Sequence, residues 1–276
     1  MISALLCDLD GVVYRGQEAC PGAVEGLQRA RAAGLQILFM TNNASRTPAA
    51  VAQHLRDLGV QADVEEVLTA SQVAAEVLGE RRPDLLRGAP VLAVGGEGVA
   101  DALTASGFHV VTPVQAGDEG ERGVPPQIAA VVQGYGPQLT VADLTEAAYA
   151  IREGALWVAT NDDATLPTAR GLAPGNGSLV AAVAHATGAA PLVVGKPHEP
   201  AYTVALRRLG LPREQTLMVG DRLETDIAGA RAAGVPSALV LTGVSDRADV
   251  DAASDAQRPD HVAETILDLA HLWSTS

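Results

Sequence analysis

Short apolar runs alternate with helix-patterned segments from one end of this chain to the other, and that alternation limits the fold to a mostly parallel sheet with helices on both faces. The runs from Ile2 to Cys7, Leu35 to Met40, Thr216 to Val219 and Ser237 to Leu241 read as buried strands. Helices are predicted from Pro21 to Ala33, where a proline opens and Gly34 closes the segment, and from Thr47 to Leu58, closed by Gly59. Others are predicted from Ser71 to Gly79, Ala201 to Leu209, Asp226 to Ala233 and Val262 to Leu272. After the breaker Arg81-Arg82-Pro83 the pattern restarts. Strands are predicted at Val91 to Val94, Val110-Val111, Ile128 to Gln133 and Leu156 to Thr160, with helices from Glu97 to Ser106 and Val141 to Arg152. A loop rich in Gly, Glu and Pro runs from Pro113 to Pro126. The expected architecture is α/β: a doubly wound parallel-sheet core formed by residues 1–82 and 191–276, with a smaller α/β module inserted at 83–190.

Composition narrows the partners. With 47% apolar and 19% charged residues in 276, the chain can bury a sizeable core. A formal net charge of −14 opposes encounter with nucleic acid or an anionic membrane, so neither is expected as a partner. An anionic substrate must then be held by local charge or by a metal. The N-terminal apolar run is cut short by Asp8 and has no basic leader, and no stretch approaches a membrane span, so cytoplasmic residence is expected. Cys7 and Cys20 make no metal-ligand spacing and read as small buried hydrophobes.

The chemistry sits at the ends of the strand runs. Asp8-Leu9-Asp10-Gly11 follows the first, Thr41-Asn42-Asn43 follows the second, and Gly220-Asp221 and Thr225-Asp226 follow a later one. Of the nineteen basic residues only Lys196 is a lysine. A compact ammonium on a flexible stem suits a phosphate or carboxylate pocket better than a forked guanidinium does. In a doubly wound sheet, ligands bind at the carboxyl ends of the strands, where Asp8, Thr41, Lys196 and Asp221 would converge. Alternation in an extended segment puts Asp8 and Asp10 on one side, about 7 Å apart, and Gly11 lets the chain turn sharply after them. Several carboxylates and one lysine cannot converge without neutralisation. A hard divalent cation is therefore expected, and Mg²⁺ suits carboxylates, water and a phosphate oxygen. Asp8 can then act as a nucleophile on phosphorus, with Lys196 and the Thr41 hydroxyl stabilising charge on the transferred group.

Together, Asp8-x-Asp10-Gly11-Val12, Thr41-Asn42-Asn43, Lys196-Pro197 and Gly220-Asp221-x-x-x-Thr225-Asp226 resemble the four ordered motifs of the haloacid dehalogenase-like phosphatases. The closest likeness is to the NagD, 4-nitrophenylphosphatase and pyridoxal or phosphoglycolate phosphatase group, which carries a large inserted cap. Ala159-Thr160-Asn161-Asp162-Asp163 and Pro174-Gly175-Asn176-Gly177-Ser178 resemble that group too. The resemblance implies a Mg²⁺-dependent phosphatase acting on a small phosphate monoester. Asp8 would form an aspartyl-phosphate, and Asp10 would serve as acid and then base. Asp8, the backbone carbonyl of Asp10 and Asp221 would hold the metal, with Asp226 beside them. Gly11, Thr41, Asn42, Asn43 and Lys196 would bind phosphate, while Asp162 and Asp163 lie in the loop expected to read the leaving group. The same resemblance implies that the cap selects substrate and mediates a homodimer. Gly134-Tyr135-Gly136 departs from relatives that carry Asp at the third position.

Taken singly, each motif has a plainer reading. Asp-x-Asp-Gly alone is more often a turn, Gly95 to Gly98 fits a strand-to-helix turn, and Trp157 and Trp273 fit core anchors. Two other functions share the residue types: a phosphotransferase or mutase on the same core, and a phospho-accepting receiver-type signalling module. The inserted module and the placement of Gly220 to Asp226 after the lysine speak against the receiver.

Overall fold

Ala-Leu-Leu-Cys at positions 4–7 has no polar side to turn toward water, and in the computed structural model it forms the strand Ala4–Cys7, with all four residues buried. The structure describes residues 2–113, 127–168 and 170–273. Ala4–Cys7 lies inside a six-stranded sheet, between Thr216–Gly220 on one side and Gln36–Thr41 on the other, parallel to both. Beyond Thr216–Gly220 come Ser237–Val240 and then His261–Ala263, again parallel, and Val67–Thr69 forms the opposite edge. The chain builds outward in one direction from Ala4–Cys7 and later returns to its other side. The order therefore reverses between Ala4–Cys7 and Thr216–Gly220, the crevice where such sheets bind ligands. Near-continuous apolar strands are what a sheet covered on both faces requires.

Leu5, Cys7, Leu27, Phe39, Leu55, Leu217 and Val240 belong to one buried cluster under this sheet, which Trp273 joins. A second sheet, wholly parallel, runs in the order Leu192–Val193, Leu156–Ala159, Ala130–Gln133, Pro90–Val94, His109–Val111. Its core gathers Leu92, Val94, Val131, Ala147, Ile151 and Trp157. The indole N–H of Trp157 donates to Gln133 Oε1 at 3.2 Å. Both tryptophans are thus core residues.

The chain divides into two compact units. One comprises Met1–Thr41, Pro48–Leu68 and Lys196–Ser276, the other Asn42–Thr47 and Thr69–Gly195. This division differs from the expected boundaries at 82 and 191, for two physical reasons. The helix Ala70–Arg81 packs on the helix Glu97–Ala105, and Leu192–Val193 pairs with Leu156–Ala159, so both segments go with the second sheet.

Among the described helices, Ala70–Arg81, Val141–Arg152 and Arg247–Ala252 start at a side-chain cap. Val141–Arg152 begins at Thr140, whose hydroxyl accepts from the Asp143 N–H while the Asp143 carboxylate accepts from the Thr140 N–H at 2.7 Å. Two expectations fail. The helix expected from Val262 to Leu272 is instead the short strand His261–Ala263 followed by a 3₁₀ segment, Ile266–Leu272, that starts where Asp268 caps the Thr265 N–H. The helix expected from Asp226 is preceded by a wide π-type turn, Leu223–Ile227, and becomes α-helical only over Ala228–Ala233. The loop that carries Asp162 and Asp163 leads into an antiparallel ribbon formed by Thr165–Thr168 and Gly171–Pro174. Gly95 to Gly98 is a strand-to-helix turn, as expected. Of the loop expected from Pro113 to Pro126, residues 114–126 lie outside the described residues.

Candidate active site

The strand Ala4–Cys7 ends one residue before Asp8, whose N–H still donates to Val219 O at 2.9 Å. Asp8 is thereby held beside the end of the strand Thr216–Gly220, which leads directly into Asp221. Leu9 turns into the core and its carbonyl accepts from the N–H groups of Val13 and Tyr14. The turn this makes needs a left-handed residue, and Gly11 supplies it at φ +87°. Asp8 is buried, whereas Asp10 is exposed, so the structure separates the environments of two acids that the sequence places on one side. Thr41 is the buried last residue of the strand Gln36–Thr41.

Lys196 is 3% exposed and lies between two carboxylates, its Nζ donating to Asp8 Oδ1 at 2.5 Å and Asp226 Oδ1 at 2.7 Å. Asp226 can meet it because the turn Leu223–Ile227 folds back. Its other oxygen, Oδ2, accepts from the N–H groups of Asp221 and Arg222 at 3.2 and 3.1 Å. Tyr202, fully buried, donates its hydroxyl to the carbonyl of Asp226 at 2.9 Å and fixes that turn from behind. Burial opposes the lysine's charge, but Asp226 and Asp8 outweigh it and raise its pKa above the ordinary value. Burial likewise raises the Asp8 carboxyl well above the usual range, against the pull of Lys196 and helped by Asp226 and Asp221.

One oxygen of Asp221, Oδ2, accepts from the Val244 N–H at 2.7 Å. Among the described residues its Oδ1 is a buried oxygen with no hydrogen-bond partner. Burial first and Asp226 second push its pKa up to about 6, against the Val244 N–H. Oxygens of Asp8, Asp221 and Asp226 all lie within 4.8 Å of one another. Counted as ionised groups, three carboxylates and one ammonium leave this buried cluster two positive charges short of neutral. A bare buried oxygen and a surplus of two negative charges fit a hard divalent cation taking oxygen ligands. Asp8 and Asp221 are its natural side-chain ligands, because both oxygens of Asp226 are already engaged. The Asp10 side chain is not in the cluster.

Within the second unit, the Asn42 side-chain amide donates to the carboxylate of Asp163 at 3.2 Å, and the Asn42 backbone carbonyl accepts from Asn161 Nδ2 at 2.8 Å. Asn43 Oδ1 accepts from the backbone and hydroxyl of Ser45 at 2.9 and 2.8 Å, closing its own turn. The Asn161–Asp163 stretch is clamped from the other side. Asn176 donates to Asn161 O at 2.7 Å and the Gly177 N–H to Asp163 O at 2.9 Å. Asp163 is half-buried and Asp162 exposed.

In sum, the structure gathers Asp8, Lys196, Asp221 and Asp226 in the first unit and Asn42 and Asp163 in the second. Neither Tyr202 nor Val244 is among the candidate residues legible in the sequence. The only available signal for the latter was the Thr242-Gly243 pair closing the apolar run from Ser237.

Known proteins resemble this chain over nearly its whole length. A haloacid dehalogenase-like hydrolase family model matches residues 5–109, and a HAD-hydrolase-like model matches 193–269. The chain is 46% identical over 265 residues to a D-glycerol 3-phosphate phosphatase of Mycobacterium tuberculosis, covering 96% of this chain and 70% of that protein. It is 36% identical to an acid sugar phosphatase of Staphylococcus aureus, covering 90% and 89%. Among solved structures, a glycerol phosphate phosphatase from Mycobacterium tuberculosis in complex with magnesium superposes with a TM-score of 0.85 at 43% identity, covering 100% of this chain and 79% of that one.

Proposed function

Because this chain belongs to the haloacid dehalogenase-like hydrolases and is a phosphatase, we propose that it hydrolyses a small phosphate monoester in two steps on Asp8. The observation that carries this reading is Lys196, a buried ammonium locked 2.5 Å from Asp8 in a cluster that still holds two surplus negative charges.

In the first step an Asp8 carboxylate oxygen attacks phosphorus, the bond from phosphorus to the ester oxygen breaks, and Asp10 gives its proton to the departing alcohol. In the second, Asp10 takes a proton from water, the water oxygen attacks phosphorus, and the bond to Asp8 breaks to release inorganic phosphate. Asp10 suits this work because it is exposed and can exchange protons, while Asp8 is kept dry. Lys196 holds the attacking carboxylate in one orientation and faces the charge that builds on the transferred group. Thr41 and Asn42 grip the phosphate, the Gly11 turn leaves it room, and Asn43 contributes through the turn it closes with Ser45. Asp8, the Asp10 backbone carbonyl and Asp221 would hold Mg²⁺, which would supply the positive charge that lets anionic carboxylates and an anionic phosphate share one site. Asp226 acts beside the ligands, orienting Lys196.

The substrate we favour is a small polyol or sugar phosphate, as the names of the relatives suggest. The second unit, which contains the residues 83–190 expected as the cap, acts as the cap in this reading, and Asp162 and Asp163 take part in reading the leaving group. The enzyme acts in the cytoplasm, which two free cysteines support. Among the described residues no helix is long and apolar enough to cross a membrane. It works as a homodimer through the cap, where the helix Val141–Arg152 leaves Val141 and Tyr149 exposed. A monomer mass by light scattering would overturn that last point.

The test is phosphate release from a panel of glycerol phosphates, sugar phosphates, phosphoglycolate, pyridoxal 5′-phosphate and nucleoside monophosphates. Chelation of divalent metal should silence every activity, Mg²⁺ should restore it, and Ca²⁺ should restore it poorly because its looser, higher coordination disturbs in-line attack. Glycerol and sugar phosphates should give the largest kcat/KM. Undiminished release in chelator would defeat the metal assignment, and nucleotides or pyridoxal 5′-phosphate ranking first would defeat the substrate assignment.

A further inference from the structure

We propose that Thr242–Ser245, a segment outside the recognised motifs, is the positioning element that sets the Asp221 carboxylate for metal; this rests on the site reading above. The strand Ser237–Val240 runs parallel to Thr216–Gly220, so the residues that follow it arrive beside Asp221. Four hydrogen bonds then tie this segment to Asp221, to Leu223 and to the Gly11 turn. The Val244 N–H donates to Asp221 Oδ2 at 2.7 Å and the Ser245 N–H to the Asp221 carbonyl at 3.0 Å. The Ser245 hydroxyl accepts from the Leu223 N–H at 3.2 Å, holding the far side of the same loop. The Thr242 hydroxyl donates to Gly11 O at 2.7 Å, which ties the segment to the turn that carries Asp10. One short segment therefore bridges the two loops that bear the metal ligands.

The fit is close enough to dictate sequence. A Cβ on Gly243 would overlap the Asp221 side chain, and one on Gly11 would meet the same carboxylate, with Gly243 Cα only 3.1 Å away. Asp221 is thus packed between two bare backbones. One of its oxygens is taken by Val244, so its side chain cannot rotate freely, and the other oxygen is left buried with no partner among the described residues. A carboxylate fixed in this way offers a single oxygen in a single direction. Partners that orient a ligand contribute strongly to metal affinity, about 10- to 100-fold for each.

A purely structural role for Thr242 would alter the stability of the metal-free protein and leave its response to metal unchanged. The experiment compares wild type with Thr242→Val, Thr242→Ser and Gly243→Ala. Two quantities are read: the rise in Tm on adding Mg²⁺, and the Mg²⁺ concentration giving half-maximal phosphate release. Thr242→Val, which keeps shape and loses the hydroxyl, should raise the half-saturating Mg²⁺ about tenfold or more and shrink the Mg²⁺-induced rise in Tm. Its kcat at saturating Mg²⁺ should be largely kept. Thr242→Ser should behave as wild type, and Gly243→Ala should respond to Mg²⁺ least of all. Should Gly243→Ala not fold, the Thr242 pair decides. An unchanged Mg²⁺ response in Thr242→Val, or equal impairment in Thr242→Ser, overturns the inference alone. A wild type whose Tm and activity ignore Mg²⁺ overturns the site reading, and the inference with it.

Discussion

Asp8→Asn should release phosphate at least about 10⁴-fold more slowly than wild type, the scale of loss when a nucleophile is removed, and should still fold. The amide cannot attack phosphorus, and Lys196, 2.5 Å from the carboxylate in the native protein, would lose the partner it orients. The effect on stability should run the other way. Burial raises the Asp8 pKa well above its ordinary value, even against Lys196. A carboxyl whose folded pKa is raised binds its proton more tightly in the folded than in the unfolded chain, so at neutral pH, above the ordinary pKa, it disfavours folding of the metal-free protein. Asparagine removes this penalty and leaves Lys196 paired with Asp226. Thermal unfolding without Mg²⁺ should therefore show the variant at or above the wild-type Tm. A variant that retains turnover would mean that Asp8 is not the nucleophile. One inactive because unfolded would show that burial of the Asp8 carboxyl is not destabilising.

Lys196→Arg keeps the charge and should still lower kcat/KM about 10²-fold or more, the cost of misplacing reacting groups by about an ångström. The ammonium donates to Asp8 and Asp226 at 2.5 and 2.7 Å from a position only 3% exposed. A planar guanidinium is wider and holds its donors in a fixed fork, so it must displace one carboxylate to reach the other. Elsewhere the chain's basic side chains are all arginine, so this position is where the sequence departs from its own habit. Steady-state kinetics at saturating Mg²⁺ measure the effect, and near-normal activity in the variant would show that a point charge is not needed there.

The core of the site was legible because its residues follow apolar strands, whose parallel pairing brings Asp8 and Asp221 side by side at the carboxyl ends of two central strands. Lys196 has no such strand before it in the same unit and was found instead by its rarity. Asp226 was read as the first residue of a helix, whereas its side chain folds back onto the N–H groups of Asp221 and Arg222 and widens the turn. A side chain that competes with the helix for backbone donors leaves no trace in an apolar period. Val262 to Leu272 was misread for a related reason. The run is apolar enough for a helix, but its first part pairs with Ser237–Val240, and edge pairing is a tertiary event. The boundaries near 82 and 191 shifted because packing partners, not linkers, decide to which unit a segment belongs. Asn42 and Asp163 stand far apart in sequence, and nothing in either motif announces that the amide of one donates to the carboxylate of the other.

Covalent trapping tests most directly the claim that phosphate passes through Asp8. Wild type and the Asp10→Asn and Asp8→Asn variants would be mixed with 4-nitrophenyl phosphate and Mg²⁺, quenched in acid within one turnover, and digested for peptide mass analysis. The good leaving group lets the first step proceed without an acid, so Asp10→Asn should accumulate phosphate on the peptide containing Asp8, wild type should show it transiently, and Asp8→Asn should show none. Stoichiometric 4-nitrophenol release by wild type and Asp10→Asn with no phosphate on that peptide at any time would contradict the mechanism.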